Sequence, residues 1–258
     1  MSAMTYPMHD SWVMLRRVLR HTRRNPSVLI MAIVLPLLIL LLLNYGFGGA
    51  LAATFPAGAK YINYLPPGII LMAAAYSGGS TATAVNTDVS EGIFDRFRAM
   101  PITRSALLNG HVIGSTIRTL IGIVLVVLVS LALGFGPNAT PLEWLAALGL
   151  ILLMLYAIAW WSVAFGLVAR NAASAAGLGA LITLLPFLSS AFVPIGTMPH
   201  WLRVFTANQP MTPTGDTLRG LLIGEPIGNS GWIAAAWWIG LAVVGFLWSR
   251  SAFERRSV

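Results

Sequence analysis

The feature that most constrains this chain is its hydrophobic rhythm, in which six apolar stretches of membrane-spanning length alternate with short polar loops. A helix that crosses about 30 Å of hydrocarbon at about 1.5 Å per residue needs about 20 apolar residues. We place the predicted spans at residues 28–47, 65–85, 120–135, 142–168, 172–193 and 232–248. Of the 258 residues, 57% are hydrophobic and 9% are charged, so we expect residues 1–258 to form one all-α polytopic membrane domain.

The distribution of basic residues predicts the orientation of the spans. Three of the 16 Lys and Arg residues, Lys60, Arg203 and Arg219, fall on one side of the predicted bilayer, and the other 13 fall on the opposite side. Cytoplasmic loops carry the excess of basic residues, so both termini are predicted to be cytoplasmic. Arginine outnumbers lysine fifteen to one, which we take as GC-rich coding, and we expect a multi-pass protein of a bacterial cytoplasmic (inner) membrane. The net charge of +8 therefore reflects topology and does not indicate a nucleic-acid partner.

Two segments on the cytoplasmic side have amphipathic patterns. Residues 9–25 are predicted to form a helix in the membrane plane, with Arg16, Arg17 and Arg20 facing lipid headgroups. A basic tail that only sets topology is the alternative. In the loop 88–110, Ile93, Phe94, Phe97 and Met100 share one side of a short helix, and Glu91, Asp95 and Arg98 share another. Exposed phenylalanines in a cytoplasmic loop indicate a surface that docks on protein or membrane.

The segment 194–231 on the opposite side is apolar but interrupted by proline. Pro199, Pro210, Pro213 and Pro226 break it into pieces that are too short to span a bilayer. We predict short re-entrant or interfacial helices on the extracytoplasmic side.

The second and fifth spans are rich in small residues, which let helix backbones approach closely. We therefore place both spans inside the bundle or at a subunit interface. Five residues of these spans are candidates for contact with an apolar substrate, and simple core packing explains each of them equally well. The candidates are Met72, Tyr76, Phe187, Ser190 and Phe192.

Several kinds of chemistry are missing from the sequence. It contains no phosphate-binding glycine–lysine loop, no histidine or carboxylate cluster with metal-ligand spacing, and no cysteine, so we expect neither a cofactor nor a metal on this chain. Charged residues are predicted at the ends of spans, with Arg118 snorkelling to the interface. The span centres then lack an ion relay, which argues against a proton-coupled antiporter. A transporter of this kind must take its energy from another subunit.

The ordered set of these features resembles a known family. Residues 91–104, EGIFDRFRAMPITR, are similar to the first cytoplasmic loop of ABC transporter type-2 permeases, in particular the daunorubicin-resistance-like branch of multidrug exporters. Residues 194–224 resemble that family's segment before the last span, through Met198-Pro199, Trp201-Leu202, Asn208, Pro210, Asp216 and Arg219. With the six spans and the N-terminal helix, the resemblance covers nearly the whole chain.

The resemblance implies the membrane subunit of an ATP-driven exporter of hydrophobic compounds, drugs or lipids, and not an enzyme in itself. Two copies would pair with two copies of a separate ABC ATP-binding subunit, which would bind the ATP and magnesium. Substrate would pass along the dimer axis, on a path lined largely by the second and fifth spans. Contact with the ATPase is expected through the coupling residues Glu91, Phe94, Asp95, Phe97, Arg98 and Arg104. A permease for polysaccharides or lipid-linked glycans and, in another class, a membrane scaffold without transport activity stay open as alternatives.

Overall fold

The computed structural model describes residues 26–49, 60–93 and 104–255. These residues form eight α-helices and no strand, which confirms the all-α class for the described part of the chain. The helices are α1 (Pro26–Leu41), α2 (Tyr61–Ser90), α3 (Arg104–Ala132), α4 (Pro141–Val168), α5 (Ala172–Leu184), α6 (His200–Ala207), α7 (Met211–Ile223) and α8 (Ser230–Arg255). A π-helical turn, Leu42–Gly46, extends α1, and a 3-10 turn, Leu185–Leu188, extends α5.

Four helices are long and apolar enough to cross a membrane by length and composition: α2, α4, α8 and the Leu108–Ala132 part of α3. Two shorter apolar helices, Ala32–Gly46 and Ala172–Leu188, coincide with the first and fifth predicted spans. The outer surface of the bundle is apolar as well. Trp232, Leu142 and Leu247, for example, expose 82%, 76% and 57% of their surface. Such an exterior suits a multi-pass membrane protein, and the count of six spans stays a prediction.

Side-chain caps start two of these helices. Thr140 and Glu143 form a capping box ahead of α4, with Pro141 as the first helical residue. Asn171 and Ser174 form an equivalent box at the start of α5, with the Ser174 N–H donating to Asn171 Oδ1 over 2.8 Å. Each box satisfies backbone donors that a helix start would leave free. The short connection between α4 and α5 therefore ends one helix and starts the next within three residues.

The third span differs most from its prediction. Its helix begins at Arg104, 16 residues before the predicted residue 120, and ends at Ala132, so residues 133–135 form a turn. The predicted loop 88–110 is correspondingly shorter, because α2 continues to Ser90 and α3 resumes at Arg104. Hydropathy alone ends the span where polar side chains begin, yet two of these side chains, Ser115 and Arg118, face α2 inside the bundle.

The fifth span also differs. Its α-helical part ends at Leu184, and Pro186 lies in the following 3-10 turn, because proline has no N–H to continue the α-helical hydrogen bonds. The predicted end of the span, 189–193, is a turn. In the segment 194–231, the two short helices α6 and α7 confirm the prediction of short helices, and their extracytoplasmic position stays a prediction.

Helix α2 lies at the centre of the bundle and packs against α1, α3, α4, α5 and α7. In its most apolar stretch 72% of the residues are buried, against 22% for α8, which packs mainly on α4. Between α4 and α8, Trp160 meets Phe246 edge to face at 4.9 Å between ring centroids. The indole N–H of Trp161 donates to the carbonyl of Leu241 over 2.9 Å. Since α2 contacts five other helices, the site described below is built mainly on it.

The crossing of α2 and α5 depends on two glycines. A Cβ atom added to Gly179 would lie 2.3 Å from the Cα of Gly79, so any side chain there would force the helices apart. Gly78, which precedes Gly79 in α2, faces α4, where an added Cβ would meet Ser162 and Ile158. The expectation that small residues let the second and fifth spans pack closely is confirmed.

We expect Gly179→Ala to destabilise the protein by about 1–3 kcal/mol, because the new methyl group has no space against Gly79. The matched control is Gly177→Ala, two residues earlier on the same helix, where an added Cβ meets nothing within 4 Å. That control should be neutral or slightly stabilising, since alanine favours the helix. Thermal unfolding of both variants in detergent tests the difference, and equal melting temperatures would contradict the close crossing.

Candidate translocation and coupling sites

Two partly open stripes border the α2–α5 crossing, and we call them together the open groove. On α2 the stripe consists of Tyr76, Ser80 and Thr83, which recur at helical spacing and are each only partly buried. On α5 it consists of the exposed residues Ala176 and Ala180 and, in the turn that follows, Phe187. The groove combines an aromatic end, hydroxyl groups and small residues that leave space.

The structure separates the five residues predicted to contact substrate. Tyr76 lies in the open groove, and Phe187 is 51% exposed. Met72 is 2% exposed and belongs to the hydrophobic core. Phe192 is buried, with its ring 5.4 Å from that of Phe187. Ser190 is buried in a polar cluster, so only Tyr76 and Phe187 present their side chains at an open surface.

The polar cluster is centred on Arg219 of α7, whose side chain is 2% exposed. Its Nη2 donates to Ser190 Oγ over 2.9 Å and to Asp216 Oδ1 over 2.5 Å. Its Nε lies 3.9 Å from a carboxylate oxygen of Glu225, and its guanidinium carbon lies 4.1 Å above the ring of Tyr64. A buried arginine needs such partners, because an unpaired charge away from water costs several kcal/mol.

The same cluster fixes the turn 189–193 on the first turns of α2. Tyr64 Oη donates to the carbonyl of Ser190 over 2.6 Å, and Tyr61 Oη donates to the carbonyl of Phe192 over 3.1 Å. Gly68 lies against the carbonyl of Ala191, where an added Cβ would be only 2.2 Å from the oxygen. The chain between α5 and α6 is thus held to α2 by hydrogen bonds and close backbone contact.

Sequence reasoning identified Asp216 and Arg219 only as part of a family-like segment and gave them no partners. Their spacing of three residues on one helix was the available signal, since it places both side chains on one face. The contacts to Ser190 and Tyr64 could not be read from the sequence, because these residues are 29 and 155 positions away along the chain.

The predicted coupling residues are described only in part. Glu91 follows the last turn of α2 and is exposed, and Arg104 is the first residue of α3. Phe94, Asp95, Phe97 and Arg98 lie outside the described residues, as do residues 9–25 with Arg16, Arg17 and Arg20. Next to this region Asp88 Oδ2 lies 3.1 Å from His111 Nε2, which joins the last turn of α2 to α3.

Arg118, which the sequence places at the end of the third predicted span, lies in the middle of helix α3. It is the fifteenth of the 29 residues of α3, because the helix begins at Arg104, and it is only 8% exposed. Its Nη2 donates to Thr81 Oγ1 over 3.2 Å and to Ser80 Oγ over 3.4 Å. Arginine stays protonated in proteins, so its presence in the bundle does not supply a proton relay.

On the other side of α5 lies an apolar cavity of about 330 Å³. It is lined by residues of α4, α5, α7 and α8, among them Trp161, Leu181, Met211, Trp237 and Trp238. The indole N–H groups of Trp161 and Trp238 bond to Leu241 and Thr214, so these two rings bring no unsatisfied donor to the lining. The cavity offers van der Waals contact and no polar group that would orient a ligand.

We expect Arg219→Ala to lower the stability of the protein by about 2 kcal/mol or more, because it removes the cation from a cluster in which Ser190 and Asp216 would keep only their bond to each other. Arg203→Ala is the matched control on α6. Its guanidinium is exposed and bonds only to the carbonyls of Gly196 and Met198. The control should cost less than about 1 kcal/mol. Thermal unfolding in detergent compares the two, and an equal loss would contradict a special role for the buried cluster.

Comparison with known proteins agrees with this architecture. Residues 9–223 match the ABC-2 type transporter family. A daunorubicin resistance ABC transporter permease of Streptomyces coeruleorubidus is 30% identical, over 88% of this chain and 77% of its own length. A probable doxorubicin resistance ABC transporter permease of Mycobacterium tuberculosis is 27% identical over 88% of this chain and 82% of its own length. A putative transport permease of Porphyra purpurea is 26% identical over 77% of this chain and 69% of its own length. The chain therefore belongs to the ABC-2 type transporter family.

Proposed function

We propose that two copies of this chain and two copies of an ABC ATP-binding subunit form a bacterial exporter, in which substrate moves along α2 and α5. The chain itself is the permease subunit of an ABC exporter of hydrophobic compounds and not an ATPase. ATP and magnesium are bound by the partner. Both termini face the cytoplasm, six segments cross the inner membrane, and α6 and α7 lie on the extracytoplasmic side.

The open groove is the observation that carries the proposed path. Most of α2 is buried within the chain, yet the stripe of Tyr76, Ser80 and Thr83 is not fully covered. The adjacent face of α5 carries Ala176 and Ala180, which would let a second copy approach closely. A groove formed by these two helices, facing its counterpart across the dimer axis, has both space and an aromatic side chain for a flat apolar molecule.

The proposed coupling site lies where α2 and α3 meet the segment 91–103. Glu91 is exposed at the end of α2, where it can pair with a basic group of the ATPase. Phe94 and Phe97 provide the apolar contact that the sequence pattern predicts. Arg16, Arg17 and Arg20 of the predicted N-terminal helix would bind anionic headgroups of the cytoplasmic leaflet, at about 1 kcal/mol for each basic residue.

Export of daunorubicin, the compound in the relative's name, tests the path. We expect Tyr76→Ala and Phe187→Ala to change which apolar compounds are exported from inside-out vesicles containing the complex. Met72→Ala is the control, because Met72 is buried in the core and its truncation should lower stability without altering the order of preferred compounds. The same loss for every compound in all three variants would contradict a substrate contact at Tyr76 and Phe187.

The coupling site is tested by ATP hydrolysis. We expect Glu91→Ala and Phe97→Ala to lower permease-dependent ATP hydrolysis and daunorubicin transport by about fivefold or more, while the permease still inserts. Glu254→Ala is the control. Glu254 is an exposed residue of α8 whose carboxylate accepts from Arg250 Nε over 3.1 Å, an exposed pair that contributes little stability. Normal coupled activity of both test variants, purified with the ATPase, would contradict the coupling role.

A further inference from the structure

The interface between α2 and α3 carries three levels of polar contact in its cytoplasmic half. Asp88 and His111 form the outermost level, at 3.1 Å. One to two turns further in, Thr81 Oγ1 and Ser115 Oγ lie 2.8 Å apart. Arg118 forms the innermost level, through its bonds to Thr81 and Ser80. We call this set of contacts the polar seam.

The hydrogen bonds of the seam have a defined direction. The hydroxyl of Thr81 donates to the carbonyl of Ser77 over 2.9 Å, so its oxygen is left with two acceptor positions. Arg118 Nη2 can only donate, and it takes one of these positions. Ser115 must then donate to the other. Thr81 thus links two residues of α3 at once.

The other half of the interface between α2 and α3 is apolar. There α3 contributes Ile123 and Val126, which are buried in the apolar core together with Leu65 and Ile69 of α2. Apolar contacts have no preferred direction and allow packed helices to slide by small amounts. Directional hydrogen bonds between helices resist such sliding, each being worth about 0.6 kcal/mol in a membrane protein.

Arg118 also makes it costly to separate α2 from α3 in the half of the interface that contains the polar seam. Its guanidinium is permanently charged and the residue is only 8% exposed, and among the described residues no carboxylate forms an ion pair with it. The hydroxyls of Ser80 and Thr81 supply its polar surroundings. If α3 moved away from α2, the charge would lose these partners within an apolar bundle, at a cost of a few kcal/mol.

We propose that the polar seam makes the cytoplasmic halves of α2 and α3 one rigid lever, which carries the movement of the segment 91–103 to the open groove. Arg118, Thr81 and Ser115 are positioning residues that touch neither ATP nor substrate. Ser80 belongs to both the seam and the groove, so the lever ends at the proposed path. The inference rests on the coupling role proposed above for the segment 91–103.

A cysteine pair tests the lever directly, since the natural chain contains no cysteine. The double variant Thr81→Cys with Ser115→Cys places two thiols where two hydroxyl oxygens lie 2.8 Å apart. The measured quantity is daunorubicin transported per ATP hydrolysed by the complex with its ATP-binding subunit. In the reduced form the seam is broken and the ratio should fall by about fivefold. In the oxidised form a covalent bond replaces the seam, and the ratio should return to within about twofold of the natural protein.

The opposite result would overturn the proposal. If α2 and α3 slide past one another during transport, oxidation will inhibit and a reductant will restore activity. Failure of the disulfide to form, or an unchanged ratio in both states, would equally contradict the seam. Thr116→Val is the control for loss of a hydroxyl from α3, because the Thr116 hydroxyl bonds only to the carbonyl of Val112 on its own helix. That variant should keep the ratio within about twofold of the natural protein.

Comparison with the Glu91 and Phe97 variants separates the two proposals. If those variants stay coupled while the reduced cysteine pair uncouples, the coupling role of Glu91 and Phe97 is wrong, and the seam is still required for coupling through other contacts at this end of α2 and α3. If those variants uncouple while the cysteine pair and Arg118→Met keep a normal ratio, the lever is wrong and the docking site stands. Arg118→Met leaves the hydroxyls of Ser80 and Thr81 bonded to the carbonyl of Ser77, so it removes the charge without creating an unpaired donor.

Discussion

The bundle is apolar on its outside as well as on its inside, and this constraint governs the rest of the structure. Large side chains such as Trp232 and Leu142 are exposed, while others such as Trp160 and Leu65 are buried. Where lipid surrounds a helix, hydrophobicity does not favour the core over the surface, so other forces must decide which helices pair. The two forces that can decide are close backbone contact and hydrogen bonds between helices. Both are concentrated on α2, which explains why the most polar of the long helices lies at the centre.

Two buried arginines illustrate this principle at two levels of α2. Near its first turns, Tyr64 covers the guanidinium of Arg219 and so holds α7 and the turn before α6. Four to five helical turns later, Ser80 and Thr81 accept hydrogen bonds from Arg118 of α3. At the level of Ser80, Gly79 of α2 meets Gly179 of α5, where an added side chain would have no space. Helix α2 is thus held to its neighbours by hydrogen bonds at two levels and by close backbone contact on the side that faces α5.

Much of the fold was predictable because hydrogen-bonding needs in a bilayer restrict the chain to helices. The all-α class, the close packing of the second and fifth spans and the short helices within residues 194–231 follow from runs of apolar residues, small residues and prolines. The boundaries of α3 were not predictable in this way. Residues 104–119 are too polar for a lipid-facing span, but Ser115 and Arg118 turn toward α2, and their partners lie more than 30 positions away. The same limit applied to Met72 and Tyr76, one turn apart, of which one is buried in the core and the other lies in the open groove.

The sequence by itself determined the kind of protein: a membrane-embedded helical chain without ATP-binding or metal-binding motifs, whose loop and terminal segments resemble those of ABC permeases. These properties depend on composition and on contacts between near neighbours, which a linear sequence records. Only the tertiary structure decided which polar residues are paired inside the bundle, as with Arg219 and Ser190, and which candidates for substrate contact are open to the surface. The physical reason is that these outcomes depend on distances between residues far apart in the chain. Apolar residues alone do not specify which helices pair, so the pairing depends on which side chains and backbones fit together in three dimensions.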